Sequence, residues 1–169
     1  IKAVDSRTRV WGGALAPRGI DRPGTGRDTH SPVKFLRDLG TAYRASGRTL
    51  PVMDGLAFHP YADSSGQSPG TPHPRSTTIG LADYNRLIQT LAGAFDGTAQ
   101  AGSTLPILYD EFGVESQIPT GKAKAYTGAE PATTRPVDEI TQGQFYGRAL
   151  QLAFCQPNVV GILLFHSQD

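Results

Sequence analysis

Residues 105–116 read LPILYDEFGVES, and this stretch determines how we interpret the rest of the chain. An apolar run from Leu105 to Tyr109 leads directly to two adjacent carboxylates, Asp110 and Glu111. We predict a strand over Leu105–Glu111 that ends in ionisable groups at the rim of a sheet, where neighbouring residues can hold a carboxylate in a fixed geometry and tune its pKa. Acidic residues after a strand also open turns or cap helices, and this is the commoner role when these residues are considered alone.

The composition sets limits on the class of protein. With 169 residues, of which 38% are hydrophobic, the chain is long enough for one well-buried core. The net charge is +1 and no cluster of Lys or Arg is interleaved with aromatic residues, so we expect no nucleic-acid partner. No apolar run approaches the roughly 18 residues of a membrane span, so we expect no membrane segment. Cys155 is the only cysteine, which excludes an intrachain disulfide, and we expect it to be buried within a helix.

Strands and helices alternate along the predicted chain. Short apolar runs predict the strands, and apolar side chains at helical spacing predict the helices. Ser31 and Pro32 supply an N-cap and a first-turn proline, and Gly47 stops the same helix. The predicted elements in chain order are strand 9–16, helix 32–46, strand 50–59, helix 81–95, strand 105–111, a helix from about 141 to 156, and strand 159–165. Continuous apolar strands in this order predict an α/β fold with a parallel sheet covered on both faces.

The loops that follow the predicted strands are longer than those that lead from a helix back to a strand. In α/β proteins the carboxyl ends of the strands form the functional face, while the opposite face is kept short. Four such units make half of a (β/α)₈ TIM barrel, which needs about 250 residues in full. We therefore expect residues 1–169 to be a single partial domain, with functional residues at the strand ends. The candidates at that face are His59, Tyr61, Glu111, His166 and Asp169.

The strand ends resemble those of clan A glycoside hydrolases, in particular the cellulase-like family 5 and family 39. Residues 110–113, Asp-Glu-Phe-Gly, are similar to the T-E-F-G motif in which the glutamate at the end of strand seven is the nucleophile. Residues 59–61, His-Pro-Tyr, are similar to the His-x-Tyr pair at the end of strand six. The resemblance covers nearly the whole chain, as strands five to eight of the barrel. It implies a retaining O-glycoside hydrolase of a carbohydrate polymer or oligosaccharide, with Glu111 as nucleophile and with neither a cofactor nor a metal.

The chain departs from the clan's pattern at three points, of which the first is Asp110 in place of the usual small or hydroxyl residue. Strand eight of the clan often carries a tryptophan under the sugar, whereas residues 161–169 read GILLFHSQD. Either Phe165 or His166 would take that place, or the sugar platform lies elsewhere. The clan's acid/base glutamate follows an asparagine at the end of strand four, and no Asn-Glu pair occurs here. Retaining hydrolysis needs two carboxyls about 5 to 5.5 Å apart, so we expect the second one upstream of Ile1. We also expect the half-barrel to pair with the missing first half or with itself.

Each further candidate has a functional and a structural interpretation. Tyr61 is expected either to donate a hydrogen bond to Glu111 or to be buried at the rim. His59 is expected to contact a sugar hydroxyl or to be a structural histidine, and Trp11 to stack on a sugar or to belong to the core. Because side chains alternate along a strand, we expect Asp110 to point away from Glu111, towards the helices, and to pair with a basic group or a backbone N–H.

Two other functions remain open from the sequence. One is a metal-dependent TIM-barrel hydrolase with His59, Asp110, Glu111 and His166 as ligands, although neither an H-x-H nor an H-E-x-x-H pair is present. The other is a half-barrel that binds carbohydrate without cleaving it. His73 falls in a predicted loop and receives no role. The sequence leaves the localisation open, and an extracellular parent protein is compatible with the resemblance.

Overall fold

The structure, a computed structural model, describes residues 2, 4–24, 26, 28–129 and 135–165. In these residues strands and helices alternate as the sequence predicts. Two 3₁₀ segments, Leu81–Asp83 and Thr120–Ala125, lie in the connections. The elements are β1 (Trp11–Leu15), α1 (Pro32–Ala45), β2 (Gly55–Phe58), α2 (Tyr84–Phe95), β3 (Ile107–Gly113), α3 (Glu139–Phe154) and β4 (Val159–Phe165).

The four described strands form one sheet in the order β1-β2-β3-β4, and each neighbouring pair is parallel. The predicted α/β class with a parallel sheet is therefore confirmed. Because the four strands are parallel, their carboxyl ends all lie on the same side of the sheet. Most of the predicted site residues lie at or just beyond these ends. Among the described residues, none of the helices has the length and hydrophobicity that a membrane crossing requires.

Local signals set the bounds of α1, whereas tertiary contacts set the start of β2. The Ser31 hydroxyl accepts the Lys34 N–H at 3.2 Å, as its predicted N-cap role requires. The predicted strand 50–59 begins later, at Gly55. The Gln100 amide oxygen accepts the N–H groups of residues 52 and 53, at 2.9 and 3.1 Å, so that part of the backbone is satisfied by a side chain instead of a strand.

The core lies between the helices and one face of the sheet. Its fully buried large side chains include Leu36 of α1, Phe58 of β2, Phe95 of α2, and Tyr109 and Phe112 of β3. These side chains join α1 and α2 to β2 and β3 in one core.

The burial of β4 agrees with the open edge that we expect at the fourth strand, whereas the expectation for Cys155 is wrong. The side chains of Val160, Leu163, Leu164 and Phe165 in β4 remain 37–61% exposed, because β4 is an edge strand in the described part of the sheet. Cys155 is exposed because α3 ends at Phe154 and the cysteine caps it at the surface. A continuous apolar sequence therefore does not place a strand at the centre of a sheet.

Helices α1 and α2 lie in close contact at Gly40. A β-carbon at residue 40 would lie 2.5 Å from the carbonyl oxygen of Ala94 and 2.9 Å from its β-carbon. A β-carbon at Gly93, on the exposed side of α2, would meet no atom within 4 Å. The two glycines are thus a matched pair for testing the packing of the helices.

We predict that Gly40→Ala lowers the free energy of unfolding by about 1–3 kcal/mol, because the added methyl group forces the helices apart. Gly93→Ala should raise it by roughly 0.5–1 kcal/mol, because alanine favours a helix more than glycine does. Urea denaturation followed by circular dichroism measures both changes. Equal midpoints for the two variants would contradict the close approach at Gly40.

Candidate functional site

A β-bulge at the carboxyl end of β3 shapes the site. Tyr109 of β3 pairs with Ile162 of β4, and Phe112 pairs with Leu164. The interval from 109 to 112 therefore contains one residue more than the facing interval of β4. Such a bulge breaks the regular alternation of side chains and commonly occurs beside functional sites.

The bulge brings both carboxylates of β3 to the same histidine. The Asp110 Oδ1 lies 3.4 Å from Nε2 of His59, and the Glu111 Oε2 lies 3.7 Å from Nδ1. The backbone N–H of His59 donates to the carbonyl of Leu15 at 3.0 Å, which fixes the histidine at the end of β2. Our expectation that Asp110 points away from Glu111 is wrong, because the extra residue removes the alternation on which it rested. Its neighbour is a basic group, as expected, but one that it shares with Glu111.

Tyr61 binds the oxygen of Glu111 that does not face His59. Its hydroxyl donates to Oε1 of Glu111 at 2.6 Å, which confirms the predicted hydrogen bond. The Tyr61 ring stacks on Phe112, with centroids 6.0 Å apart, and Phe112 meets Tyr146 of α3 edge to face. Burial, followed by the hydrogen bond and negative charge of Glu111, raises the pKa of Tyr61. Tyr61 therefore stays a hydrogen-bond donor to the carboxylate at neutral pH.

A cavity of about 320 Å³ opens beside Glu111. Its walls come from residues 111–115, from Phe165 at the end of β4, from the loop after β2, and from Arg18 after β1. Small-ligand pockets begin at about this volume and occur at the carboxyl ends of parallel strands. Glu111 thus lies at a place where a ligand of the size of a sugar ring can reach it.

The structure places the other predicted site residues differently. Trp11 lies at the start of β1, where its ring covers Gly55 so closely that a β-carbon there would collide with it. Gly55 begins β2 and His59 follows its end, so Trp11 lies at the amino ends of the strands, whereas Glu111 lies at their carboxyl ends. Phe165 lines the same cavity as Glu111 and is 48% exposed. His166 lies outside the described residues, as does Asp169.

One buried pair near the cavity was missed by the sequence reasoning. His73 and Asp83 are 7% and 6% exposed, and Nδ1 of His73 lies 2.6 Å from Oδ2 of Asp83. Asp83 also accepts the backbone N–H groups of His73 and Gly80. Burial opposes ionisation of Asp83, but these hydrogen bonds and the nearby His73 outweigh it and lower its pKa. The flanking prolines at 72 and 74 could have marked a restricted loop, but nothing local reveals what packs over His73.

The predicted metal ligands do not converge in the part of the chain that is described. His59 lies between the two carboxylates, with Asp110 at one nitrogen and Glu111 at the other. Within the described residues, no group of three His, Cys, Asp or Glu side chains is arranged to hold a metal ion. The fourth predicted ligand, His166, lies outside those residues.

We predict that Tyr61 and Glu111 contribute jointly to stability. Tyr61→Phe keeps the stacking on Phe112 but removes the donor to Glu111, and should cost about 1 kcal/mol of unfolding free energy. In a double-mutant cycle with Glu111→Ala, the coupling energy should be about 0.5–3 kcal/mol. Urea denaturation measures it, and Tyr61→Phe combined with Gly93→Ala serves as the additive control. Additivity of Tyr61→Phe with Glu111→Ala would show that the hydrogen bond contributes nothing.

Comparisons with known proteins found no match. No protein-family model matches the chain. Searches against curated proteins and against solved structures also found no significant similarity. The arrangement of the residues around Glu111 is therefore the basis on which we propose a function.

Proposed function

We propose that the protein is a retaining O-glycoside hydrolase that acts on a carbohydrate polymer or oligosaccharide, with Glu111 as its nucleophile. The observation that carries this proposal is the 2.6 Å hydrogen bond from Tyr61 to Glu111 at the wall of a cavity at the carboxyl ends of parallel strands. The resemblance of residues 59–61 and 110–113 to the clan A motifs supports the same assignment.

The two oxygens of Glu111 have different surroundings. Tyr61 occupies Oε1, so Oε2 is the oxygen that can attack the anomeric carbon of a sugar. In a retaining mechanism this attack forms a glycosyl-enzyme ester while a general acid protonates the departing oxygen, and water then hydrolyses the ester. His59, at 3.7 Å from Oε2, is placed to contact a sugar hydroxyl next to the attacking oxygen.

The second carboxyl of the mechanism is proposed to come from outside residues 1–169. Asp110 is an unsuitable source, because it is not among the residues that line the cavity and its Oδ1 is buried beside His59. A proton donor for the leaving group must reach the substrate, and this oxygen is not accessible to one.

The proposed fold is half of a (β/α)₈ barrel. In the described residues β1 and β4 are the edges of the sheet, and the apolar side chains of β4 are partly exposed. Edge strands with exposed apolar side chains favour pairing with further strands. We propose that the first half of the barrel, or a second copy of this half, covers them.

We predict that Glu111→Gln in the intact protein lowers kcat by about 10³-fold or more, because it removes the attacking charge while preserving the shape of the side chain. Glu115→Gln is the matched control, since Glu115 lines the same cavity, and its kcat should stay within about tenfold of the wild type. A panel of aryl glycosides measures turnover, and NMR of the first product reports its anomeric form. Normal turnover in Glu111→Gln refutes the nucleophile, and an inverted product refutes the retaining mechanism.

For residues 1–169 expressed alone, we predict association in solution and poor hydrolysis. The exposed edges should pair, and protonation of the leaving group, typically worth 10²- to 10⁴-fold in rate, should lack its acid. Light scattering after size exclusion gives the mass, and the same aryl glycosides give the rate. A stable monomer with the turnover of an ordinary glycosidase would place the acid within these residues and contradict the half-barrel. Sugar binding without turnover in the intact protein would favour a non-catalytic carbohydrate-binding function.

A further inference from the structure

A second cavity, of about 450 Å³, lies where α1, α2 and the loop after β2 meet. Val33 and Arg37 are one helical turn apart on its α1 wall, and Arg86, Gln89 and Gly93 of its α2 wall have the spacing of one helix face. We call it the helix cavity. It shares no lining residue with the cavity of the candidate site, and its volume is within the range of small-ligand pockets.

The charged side chains of the helix cavity are both positive. Among the described residues that line it, Arg37 and Arg86 are basic and none is acidic. Asp38, the neighbour of Arg37 in the chain, already lies 2.6 Å from Nζ of Lys34. Within the described part of the chain, the Arg37 side chain forms neither a hydrogen bond nor an ion pair. Two positive charges in the walls of one cavity repel each other, and an anion bound there relieves this repulsion.

Arg86 is held in place with part of its guanidinium left unoccupied. Its Nη1 donates to the carbonyls of Ser76 and Thr78, at 2.8 and 2.7 Å. These two bonds use both hydrogens of Nη1, and no described residue accepts a hydrogen bond from Nη2 or Nε. A guanidinium that is already fixed loses little entropy when it binds a ligand, and its planar fork of donors matches the oxygens of an oxyanion.

The loop and the start of α1 add further groups that favour an anion. Ser76 lines the cavity, and its hydroxyl accepts the Thr78 N–H at 3.2 Å, which leaves its own hydrogen to donate. Val33 belongs to the first turn of α1, where the helix dipole is positive. The favourable groups therefore come from α1, α2 and the loop. Donors on several sides suit a tetrahedral group with three outward oxygens better than a planar carboxylate with two.

We propose that the helix cavity binds the phosphate or sulfate group of a small molecule, with Arg37 and Arg86 as the residues that bind the anion. The cavity is larger than either group, so it also holds a part of the molecule about as large as a sugar ring. This inference does not depend on the proposed function, because Glu111 and its cavity take no part in it.

Arg37 and Gln89 provide the test variants, because neither side chain has a contact within the described residues that the fold requires. Arg37→Gln removes a charge, whereas Arg86 also holds the loop and is left unchanged. Gln89→Glu keeps the shape of the wall but adds a carboxylate that competes with the ligand. Arg75→Gln is the matched control, since it removes a positive charge from the same exposed loop without altering a lining residue. Thermal unfolding confirms that each variant is folded.

The experiment titrates the ¹⁵N-labelled intact protein by NMR at constant ionic strength with D-glucose 6-phosphate, D-glucose 6-sulfate, D-glucuronate and D-glucose. We expect at least one of the two esters to shift the amide signals of Thr77 and Gly93, and D-glucose to leave them unchanged. Arg37→Gln and Gln89→Glu should each weaken binding of that ester about tenfold or more. Arg75→Gln should weaken it less than about twofold, because an exposed charge outside the cavity is screened.

The four probes carry different groups on the same sugar ring, so they identify the group that is bound. Tighter binding of the 6-phosphate assigns a phosphate ligand, and tighter binding of the 6-sulfate assigns a sulfate ligand. No response of the Thr77 and Gly93 amides to either ester overturns the inference, as does unchanged affinity in Arg37→Gln. An equal loss in Arg75→Gln overturns it too, because the attraction would then be general. Binding of D-glucuronate or D-glucose as tight as that of the better ester also overturns it.

Discussion

The extra residue that β3 holds between Tyr109 and Phe112 determines where the charged groups of this protein meet. Both aromatic side chains belong to the core, where the Tyr109 hydroxyl donates to Gln156 and Phe112 packs against Tyr146. They are three residues apart, so a regular strand would turn one of them to the opposite face. The bulge allows both to be buried and leaves the two intervening carboxylates beside His59. Burial of two rings, which favours folding by several kcal/mol, thus fixes the position of Glu111.

Side-chain hydrogen bonds hold the loops that surround this strand end. The Tyr146 hydroxyl accepts the Val114 N–H and donates to the Phe165 carbonyl, which joins the ends of β3 and β4. The Arg86 guanidinium binds the carbonyls of Ser76 and Thr78 in the loop after β2. A loop that covers part of a core needs such partners, because its backbone groups have no sheet or helix to satisfy them. The cavity wall at Val114 and Phe165 is therefore tied to α3, and the later part of the loop after β2 is tied to α2.

The sequence predicts those parts of the structure that local chemistry determines. The start of α1 follows from Ser31 and Pro32, and β4 begins at the predicted Val159 because the apolar run starts there, after Pro157 and Asn158. The later start of β2 depends on Gln100, a residue distant in the chain. The exposure of β4 depends on which strands lie beside it. Both features depend on residues that are distant in the chain, so the periodicity of the local sequence does not reveal them.

The sequence predicted one part of the candidate site, the pairing of Tyr61 with Glu111, but not the rest. Glu111 and Tyr61 could be placed together because each lies at or just beyond the carboxyl end of a strand of a parallel sheet, and these ends lie side by side. The orientation of Asp110 was mispredicted, although the sequence carries a signal for the bulge: two aromatic residues three apart with two charges between them. The pairing of His73 with Asp83 depends on the path of an irregular loop. The half-barrel and its activity remain predictions that no contact in the described residues tests.

The charges around the cavity limit which sugars suit the proposed function. Among the described residues that line it, Asp63, Glu111 and Glu115 are acidic, and Arg18 already lies 3.5 Å from Asp63. The influence of Glu115 extends to the Tyr61 hydroxyl, where its charge adds to that of Glu111 in raising the pKa. An acidic sugar would bring a further negative charge into a cavity without an uncommitted cation in its described walls, and like charges at this range repel more strongly as water is excluded. A neutral sugar avoids this cost and still offers hydroxyl donors to the carboxylates, so the electrostatics of the cavity favour neutral over acidic carbohydrate.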